Sequence, residues 1–302
     1  MFSYNNFYNT NLFFNNMKNG INTNDIDTNF ILLFSQMYST CLARIKWNNL
    51  PINISSDFIE KTLLDNEVCV FFYDDILEKY LVTNVELTGK FNIEEIPTNY
   101  KAIANNGYRR ELNPSNSVLI FNKKYSLLND IAYIDIYAKR ISNILDAYLT
   151  NIDFQRTPLI VKSNDNTILS NKNLVKKWID KIKILYLKDN FDINTISTLN
   201  FNVPFMADKL YTIIKNELSD FYNLMGIESN NIDKKERLVV TESMGNLGAV
   251  ELNRNKYLNS RNESIEKINK MFNLNISCEF NSDLPTPLNL GLDFNLEGEE
   301  VK

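Results

Sequence analysis

The strongest constraint on the fold is a long helical pattern that begins at Pro204 and ends at Gly226. Proline suits the first turn of a helix, and glycine is the usual residue just past its end. Apolar side chains cover most of the circumference of this helix, and its polar residues form one narrow stripe, made of Lys209, Thr212, Asn216, Asp220 and Asn223. Such a helix must pack on both flanks, either in a domain core or between neighbouring subunits.

A second long helix is predicted upstream, because apolar residues recur at intervals of three and four from Leu127 to Tyr148. A helix of about 24 residues is roughly 36 Å long, well above the globular average. Between the two long helices the pattern predicts a strand, a helix and a second strand, at 159–162, 170–181 and 182–187. These elements would form a compact βαβ-like insert.

The remaining segments favour a small antiparallel sheet or barrel with helices around it. Before it, helices are predicted from a cap at Asp27 or Thr28 to Trp47, and from Ser55 or Ser56 to Leu64. Four strands follow, at 68–73, 80–87, 100–104 and 118–121. Near the end of the chain a helix is predicted at 250–272 and a strand at 276–280.

A basic run, Lys234-Lys235-Glu236-Arg237, follows the helix that ends at Gly226. The surrounding residues carry almost no core-forming pattern, so the run is either a solvated turn or a mobile cationic loop. The formal net charge of −5 and the pI near 5.1 argue against a surface that coats nucleic acid over its whole area. Any contact with DNA or RNA is therefore expected to be local.

The composition excludes several kinds of chemistry. The 302 residues include no histidine, so histidine-based nucleophile pairs and metal sites are excluded. Cys41, Cys69 and Cys278 lie far apart without a CxxC motif, which is typical of buried or idle thiols in a reducing compartment. Phosphate-loop, dinucleotide-binding, hydrolase and zincin motifs are absent. We predict no catalytic residue, no cofactor, no metal and no membrane segment.

Three pairs of carboxylates offer an alternative, since oxygen ligands of this kind can hold Mg²⁺ for phosphodiester chemistry. The pairs are Asp25 and Asp27, Asp74 and Asp75, and Glu94 and Glu95. Each pair is also explained as a helix cap, a turn or a solvated loop, and we favour that interpretation. The alternative function is a metal-dependent phosphodiester enzyme with Asp74 and Asp75 at the metal.

Five collinear groups of residues resemble one known family. They are Trp47-Asn48-Asn49-Leu50-Pro51 with Phe58-Ile59-Glu60-Lys61; Arg156-Thr157-Pro158-Leu159-Ile160-Val161 with Asn164-Asp165-Asn166; Asp208-Lys209-Leu210; Met225-Gly226-Ile227 with Lys234-Lys235-Glu236-Arg237; and Ser260-Arg261 with Glu266-Lys267-Ile268-Asn269. In this order and spacing they resemble the upper collar connector, or portal, protein of small short-tailed phages with protein-primed genomes (picovirus-type podophages). The groups span most of the chain.

The resemblance implies an α+β portal fold that assembles as a dodecameric ring around a channel for double-stranded DNA. It divides the chain into an N-terminal arm, a wing with a small sheet or barrel, a stem helix, an α/β clip insert, a second stem helix, a channel loop, a wing or crown segment and an acidic tail. The corresponding ranges are 1–24, 25–125, 126–153, 154–203, 204–225, 226–248, 249–281 and 282–302. Both termini are expected to be loose.

The resemblance also implies the site residues and partners. Lys234, Lys235 and Arg237 match basic residues of the channel loop, and Lys209 matches a basic position on the stem. The implied partners are eleven further copies, double-stranded DNA bound without sequence preference, the major capsid protein, the scaffolding protein, the packaging ATPase and the lower collar or tail protein. The implied location is the portal vertex of the virion, with assembly in the host cytoplasm.

The chain departs from this family's pattern at two places. Residues 1–16 carry no charge, whereas well-known members begin with a basic arm that contacts a packaging RNA, so that RNA contact is not expected here. Asn200 stands where the family has another basic channel position. A different collar or tail adaptor of the same virion would also form rings, and it remains a further alternative.

Overall fold

The computed structural model describes residues 28–125, 128–155, 159–161, 196–198, 204–228 and 240–281. The helices in these ranges are α1 Thr28–Leu42, α2 Ser56–Asn66, α3 Asp130–Phe154, α4 Ala207–Leu224 and α5 Val240–Phe272. The strands are β1 Ile45–Asn48, β2 Val68–Asp74, β3 Lys79–Phe91, β4 Pro97–Ile103, β5 Arg109–Leu112, β6 Ser117–Phe121, β7 Leu159–Val161, β8 Ile196–Thr198 and β9 Ser277–Phe280. The predicted α+β class is confirmed.

The central sheet has five antiparallel strands in the order β5-β4-β3-β2-β6. Residues alternate across β2 and β6, so each strand supplies both faces of the sheet. Cys69, Phe71, Val118 and Ile120 belong to a core cluster that also includes side chains of α2 and α5. The opposite face forms a second cluster, which includes Val70, Phe72, Tyr100 and Leu119. The four predicted strands are confirmed, and β5 was missed because its sequence, Arg-Arg-Glu-Leu, is mostly charged.

The prediction that the first helix continues to Trp47 is wrong. α1 ends at Leu42, and residues 45–48 form a strand that pairs antiparallel with β9. Ile45 and Trp47 are buried and the residues between and after them are exposed, which is a two-residue period. The helical spacing of Cys41, Leu42 and Ile45 fits equally well locally, but the pairing with β9 decides between the two patterns.

Two predicted helix boundaries also differ. α4 begins at Ala207 and not at Pro204, because Asn151 of α3 bonds the preceding turn: its amide donates to Pro204 O (3.0 Å) and accepts from Met206 N (2.9 Å). α5 begins at Val240, ten residues before the predicted start, so the predicted loop at 226–248 ends earlier than expected. The glycines at 245 and 248 suggested a loop in sequence, but the helix accommodates them.

The described residues divide into two compact units, one from residues up to 143 and from 214 onward, the other from residues 144–213. In the second unit the rings of Tyr148 and Tyr211 lie 6.3 Å apart, and β7 pairs antiparallel with β8. β8 was not predicted from the sequence. The predicted helix at 170–181 and strand at 182–187 lie outside the described residues.

We expect Gly226→Ala to destabilise the protein more than Gly107→Ala. Both glycines have a positive φ, +76° and +88°, which costs a residue with a side chain about 1–2 kcal/mol. A Cβ at Gly226 would also lie 2.9 Å from the backbone of Arg254, whereas a Cβ at Gly107 would meet nothing within 4 Å. The clash adds about 1–3 kcal/mol. Urea unfolding of both variants measures the difference, and equal losses would contradict the contact.

Candidate nucleic-acid interface and its anchor

The polar stripe predicted for α4 is confirmed among the described residues. Lys209, Thr212, Asn216 and Asp220 are exposed, and Asn223 is half-buried. The opposite side of the helix contributes the buried residues Ile214, Leu218, Phe221 and Tyr222. Lys234, Lys235 and Arg237 lie outside the described residues, so of the four predicted site residues the structure places only Lys209.

The end of α4, from which the chain continues toward the basic run, is held against α5. Ile227 N donates to Tyr222 O at 2.8 Å and Gly226 N to Asn223 O at 3.1 Å, which closes the helix around the left-handed glycine. From α5, Asn253 donates to Asn223 O at 3.1 Å, and the Nε of Arg254 donates to Gly226 O at 3.2 Å. The segment with the basic run therefore departs from a fixed point.

A buried carboxylate, Asp130, lies at the first residue of α3. Its oxygens accept from Arg44 at 2.5 Å, Lys123 at 2.7 Å, Asn122 at 2.9 Å and Tyr257 at 3.0 Å. Burial opposes ionisation, but the positive charges of Arg44 and Lys123 hold the pKa of Asp130 well below its usual range. The carboxylate therefore stays charged and joins the chain before β1, the segment after β6, α3 and α5.

A second buried ion pair extends this network into α2. Arg261 of α5 binds Glu60 of α2 through two bonds, at 2.9 and 2.7 Å. It also donates to the main-chain oxygen and the side-chain oxygen of Asn122, at 3.1 and 3.0 Å. Glu60 in turn accepts from the indole of Trp47 at 2.8 Å. We call these residues, together with the Asp130 cluster and Glu67, the buried polar network.

The network also reaches the end of α4. The guanidinium of Arg44 lies 3.8 Å from the ring centroid of Tyr257, and both side chains contact the sulfur of Met225 at 3.6 Å. Met225 precedes Gly226 directly. The same cluster thus fixes the start of α3 and the end of α4.

Glu67 is the weakest point of the network. One oxygen accepts from Asn122 Nδ2 (3.2 Å) and from Asp130 N (3.1 Å), while the other is buried without a hydrogen-bond partner. Burial, helped by the negative charge of Asp130 and opposed by Lys123, raises the pKa of Glu67 to about 7.

The sequence singled out none of these positions as a buried ion. The available signal was the placement of charged residues within apolar patterns, such as Glu60 between Ile59 and Leu63 on α2, and Arg261 near Tyr257 and Ile265 on α5. Their partners lie far away in sequence, so pairing them required the fold.

The carboxylate pairs considered for a metal have structural roles where the structure describes them. Asp74 accepts from the amides of Ile76 and Leu77, from the hydroxyl of Tyr108 and from Arg110; the bond from Tyr108 contributes most to lowering its pKa to about 2. Asp75 pairs with Arg110 at 2.9 Å. Glu94 and Glu95 belong to a turn closed by Asn92.

Asp25 and Asp27 lie outside the described residues. Within the described ranges, no group of three or more Cys, Asp or Glu residues is arranged to hold a metal ion. In the same ranges, no helix has the length and apolar character needed to cross a membrane. Cys41, Cys69 and Cys278 are free thiols, the first two buried.

Comparison with known proteins decides the family. The sequence profile of the family described as Phage Connector (GP10) matches residues 13–285. The chain belongs to this family. It is a head-tail connector, or portal, protein of phage type, and connectors are structural components.

Solved structures similar to this connector include three phage-type particles or proteins. One is the portal and tail of native bacteriophage P68 (19% identity, 93% of each chain covered, TM-score 0.47). Another is an HK97 family phage portal protein from Corynebacterium diphtheriae (10% identity, 83% of this chain and 91% of that chain, TM-score 0.42). A third is the neck of a native gene transfer agent particle computed with C12 symmetry (9% identity, 85% and 81%, TM-score 0.44).

We expect Glu67→Gln to stabilise the connector at neutral and alkaline pH. Because the folded pKa of Glu67 lies above the ordinary value of about 4.3, the folded state binds a proton that the unfolded state has lost. The native stability therefore falls as pH rises from about 4.5 to about 7, and the neutral amide removes this loss, on the order of 2 kcal/mol at pH 8. Urea unfolding at pH 4.5 and pH 8 measures it.

Glu86→Gln is the matched control, since it removes the same charge from an exposed position on β3. It should leave the pH profile of the parent unchanged. A Glu67→Gln profile parallel to the parent profile would contradict the assignment.

Proposed function

We propose that this connector forms a dodecameric ring at the portal vertex of a small short-tailed, protein-primed phage, with a central channel through which double-stranded DNA is packaged and ejected. The observation that carries the proposal is α4: it exposes one polar stripe with Lys209 and ends, at a fixed point, just before the basic run. Such a helix can line a shared channel while its flanks pack against protein.

Exposed apolar side chains beside the stripe support assembly. Ile213 on α4 is 43% exposed, Leu149 on α3 is 46% exposed, and Phe205 just before α4 is 58% exposed. In a ring, neighbouring copies would cover such positions, which accords with the packing on both flanks that the sequence pattern requires.

We expect the purified protein to form a particle near twelve times the chain mass of 35.2 kDa. Mass measurement in solution and symmetry counting in electron micrographs would test this, with a central hole in end views. A stable monomer in assembled particles would contradict the ring. A ring located away from the capsid vertex would indicate a different collar or tail adaptor.

The proposed DNA contacts are electrostatic. B-DNA carries one phosphate charge per about 1.7 Å of axis, so cations repeated around a ring meet phosphates in any sequence. Lys209, Lys234, Lys235 and Arg237 are the proposed cations. The net charge of −5 per chain disfavours general adhesion, so the wall would let the duplex slide while these cations hold it locally. We propose that the loop acts against backward slipping of packaged DNA.

We expect replacement of Lys234, Lys235 and Arg237 by alanine to leave ring assembly intact and to reduce the retention of packaged DNA. Because each lost phosphate contact lowers the salt slope of binding by about 0.9, duplex binding by purified rings should also become less sensitive to salt. Retention is measured by DNase protection of filled heads, and salt slopes by titration.

The matched control replaces Lys79, Lys90 and Arg109, three exposed cations of β3 and β5, by alanine. This variant has the same net charge as the loop variant and should retain DNA as the parent does. Equal retention by the loop variant and the parent would refute the role of the loop.

The remaining partners follow from the proposed place at the vertex. They are the major capsid protein, the scaffolding protein, the packaging ATPase and the lower collar or tail protein, with assembly in the host cytoplasm. A packaging RNA is not proposed to bind the N-terminal arm, because residues 1–16 carry no charge that could pair with RNA phosphates.

A further inference from the structure

A cleft of about 440 Å³ lies between the five-stranded sheet and α5, within the larger unit. Its apolar lining includes Tyr100, Leu119, Phe121 and Met271, and its basic lining consists of Lys124, Lys267 and Lys270. No acidic residue lines it. The size is that of a binding pocket, and the chemistry suits an apolar ligand with negative charge.

One side of the cleft is the edge of the sheet. Among the described strands β6 pairs only with β2, so its other edge is open. Asn122 N donates to Glu67 O, and antiparallel bonds alternate, so the main-chain groups of Leu119 and Phe121 point away from β2. The edge can therefore accept one further strand.

The basic side chains call for an acidic partner. Lys124 pairs with Glu263. Within the described part of the chain neither Lys267 nor Lys270 forms an ion pair. Two adjacent cations one turn apart on a helix repel each other unless an anion lies near them.

The C-terminal segment of the same chain has the matching sequence. Its apolar residues occur at every second position: Leu288, Leu290, Leu292, Phe294 and Leu296. This two-residue period is typical of a strand with one apolar face. Asp293 lies within the pattern, and Glu297, Glu299 and Glu300 follow it. The segment lies outside the described residues.

We propose that residues 288–296 of this chain dock in the cleft as a strand beside β6, with the following glutamates near Lys267 and Lys270. The chain is long enough to reach. Phe280 lies under the guanidinium of Arg254, at 4.4 Å, and Arg254 and Lys267 are about 20 Å apart along α5 at 1.5 Å per residue. The residues from Asn281 to Leu288 span up to about 23 Å when extended.

The inference is independent of the proposed DNA contacts, and a disulfide test addresses it in the full-length chain. Met271→Cys and Leu292→Cys are combined in a Cys278→Ser background, which leaves only the buried Cys41 and Cys69. Mild oxidation should give a disulfide within one chain, seen on non-reducing gels and by peptide mass mapping. Ile52→Cys with Leu292→Cys measures random collision, because Ile52 is fully exposed elsewhere.

Charge variants test the electrostatic part. Lys267→Glu should lower the rate of the Met271–Leu292 cross-link several-fold, and adding Glu297→Lys with Glu299→Lys should restore it. Lys256→Glu makes the same charge change on α5 outside the cleft and should leave the rate unchanged.

Either of two results would overturn the proposal. The first is a cross-linking rate at Met271 no higher than at Ile52. The second is a disulfide that forms only between chains, which would place the segment in another copy.

Discussion

The carboxylate of Asp130 is the group on which the packing of the larger unit depends. It is buried and charged, and four side chains from different segments of the chain are arranged around it. Removing one partner of such a buried pair usually costs about 3–5 kcal/mol, because the remaining charge has no compensation. The reverse also holds: the cluster forms only when β1, the segment after β6, α3 and α5 are all in place. A group of this kind selects one arrangement of these elements over others that would bury as much apolar surface.

This constraint lies where a connector needs it. Arg44 and Tyr257 bind Asp130 at the start of α3, and both contact Met225 at the end of α4. Asn253 and Arg254 hold the next residues against α5. A basic segment that grips a moving duplex transmits force to its attachment points, so its proposed role depends on anchors that do not yield. The buried polar network supplies them at the end of α4.

The sequence predicted what repeats locally and missed what depends on distant partners. The long helices and four of the strands of the sheet follow from periods of 3.6 and 2, and the polar stripe of α4 follows from the same periodicity. The strand at Ile45–Asn48 was missed because its partner lies at Ser277–Phe280, and helical spacing fits the local residues as well. β5 was missed because its charged residues lack an apolar face. Arg44, Glu60, Asp130 and Arg261 could be recognised as misplaced charges, but not as each other's partners. Of the proposed interface, the sequence found Lys209 and the basic run through family resemblance, and it did not find the anchor.

The distribution of polar groups explains why a negatively charged protein can serve as a DNA channel. Buried charges such as Asp130 with Arg44 and Glu60 with Arg261 are paired, so they add little to the field outside. The duplex would meet the unpaired excess at the surface, and this excess is negative over the whole chain. Repulsion then keeps the DNA away from the wall, while cations in a few places supply contacts that are individually weak and exchange quickly. A uniformly basic channel would bind more tightly and resist movement in both directions, which is the opposite of what packaging and ejection require.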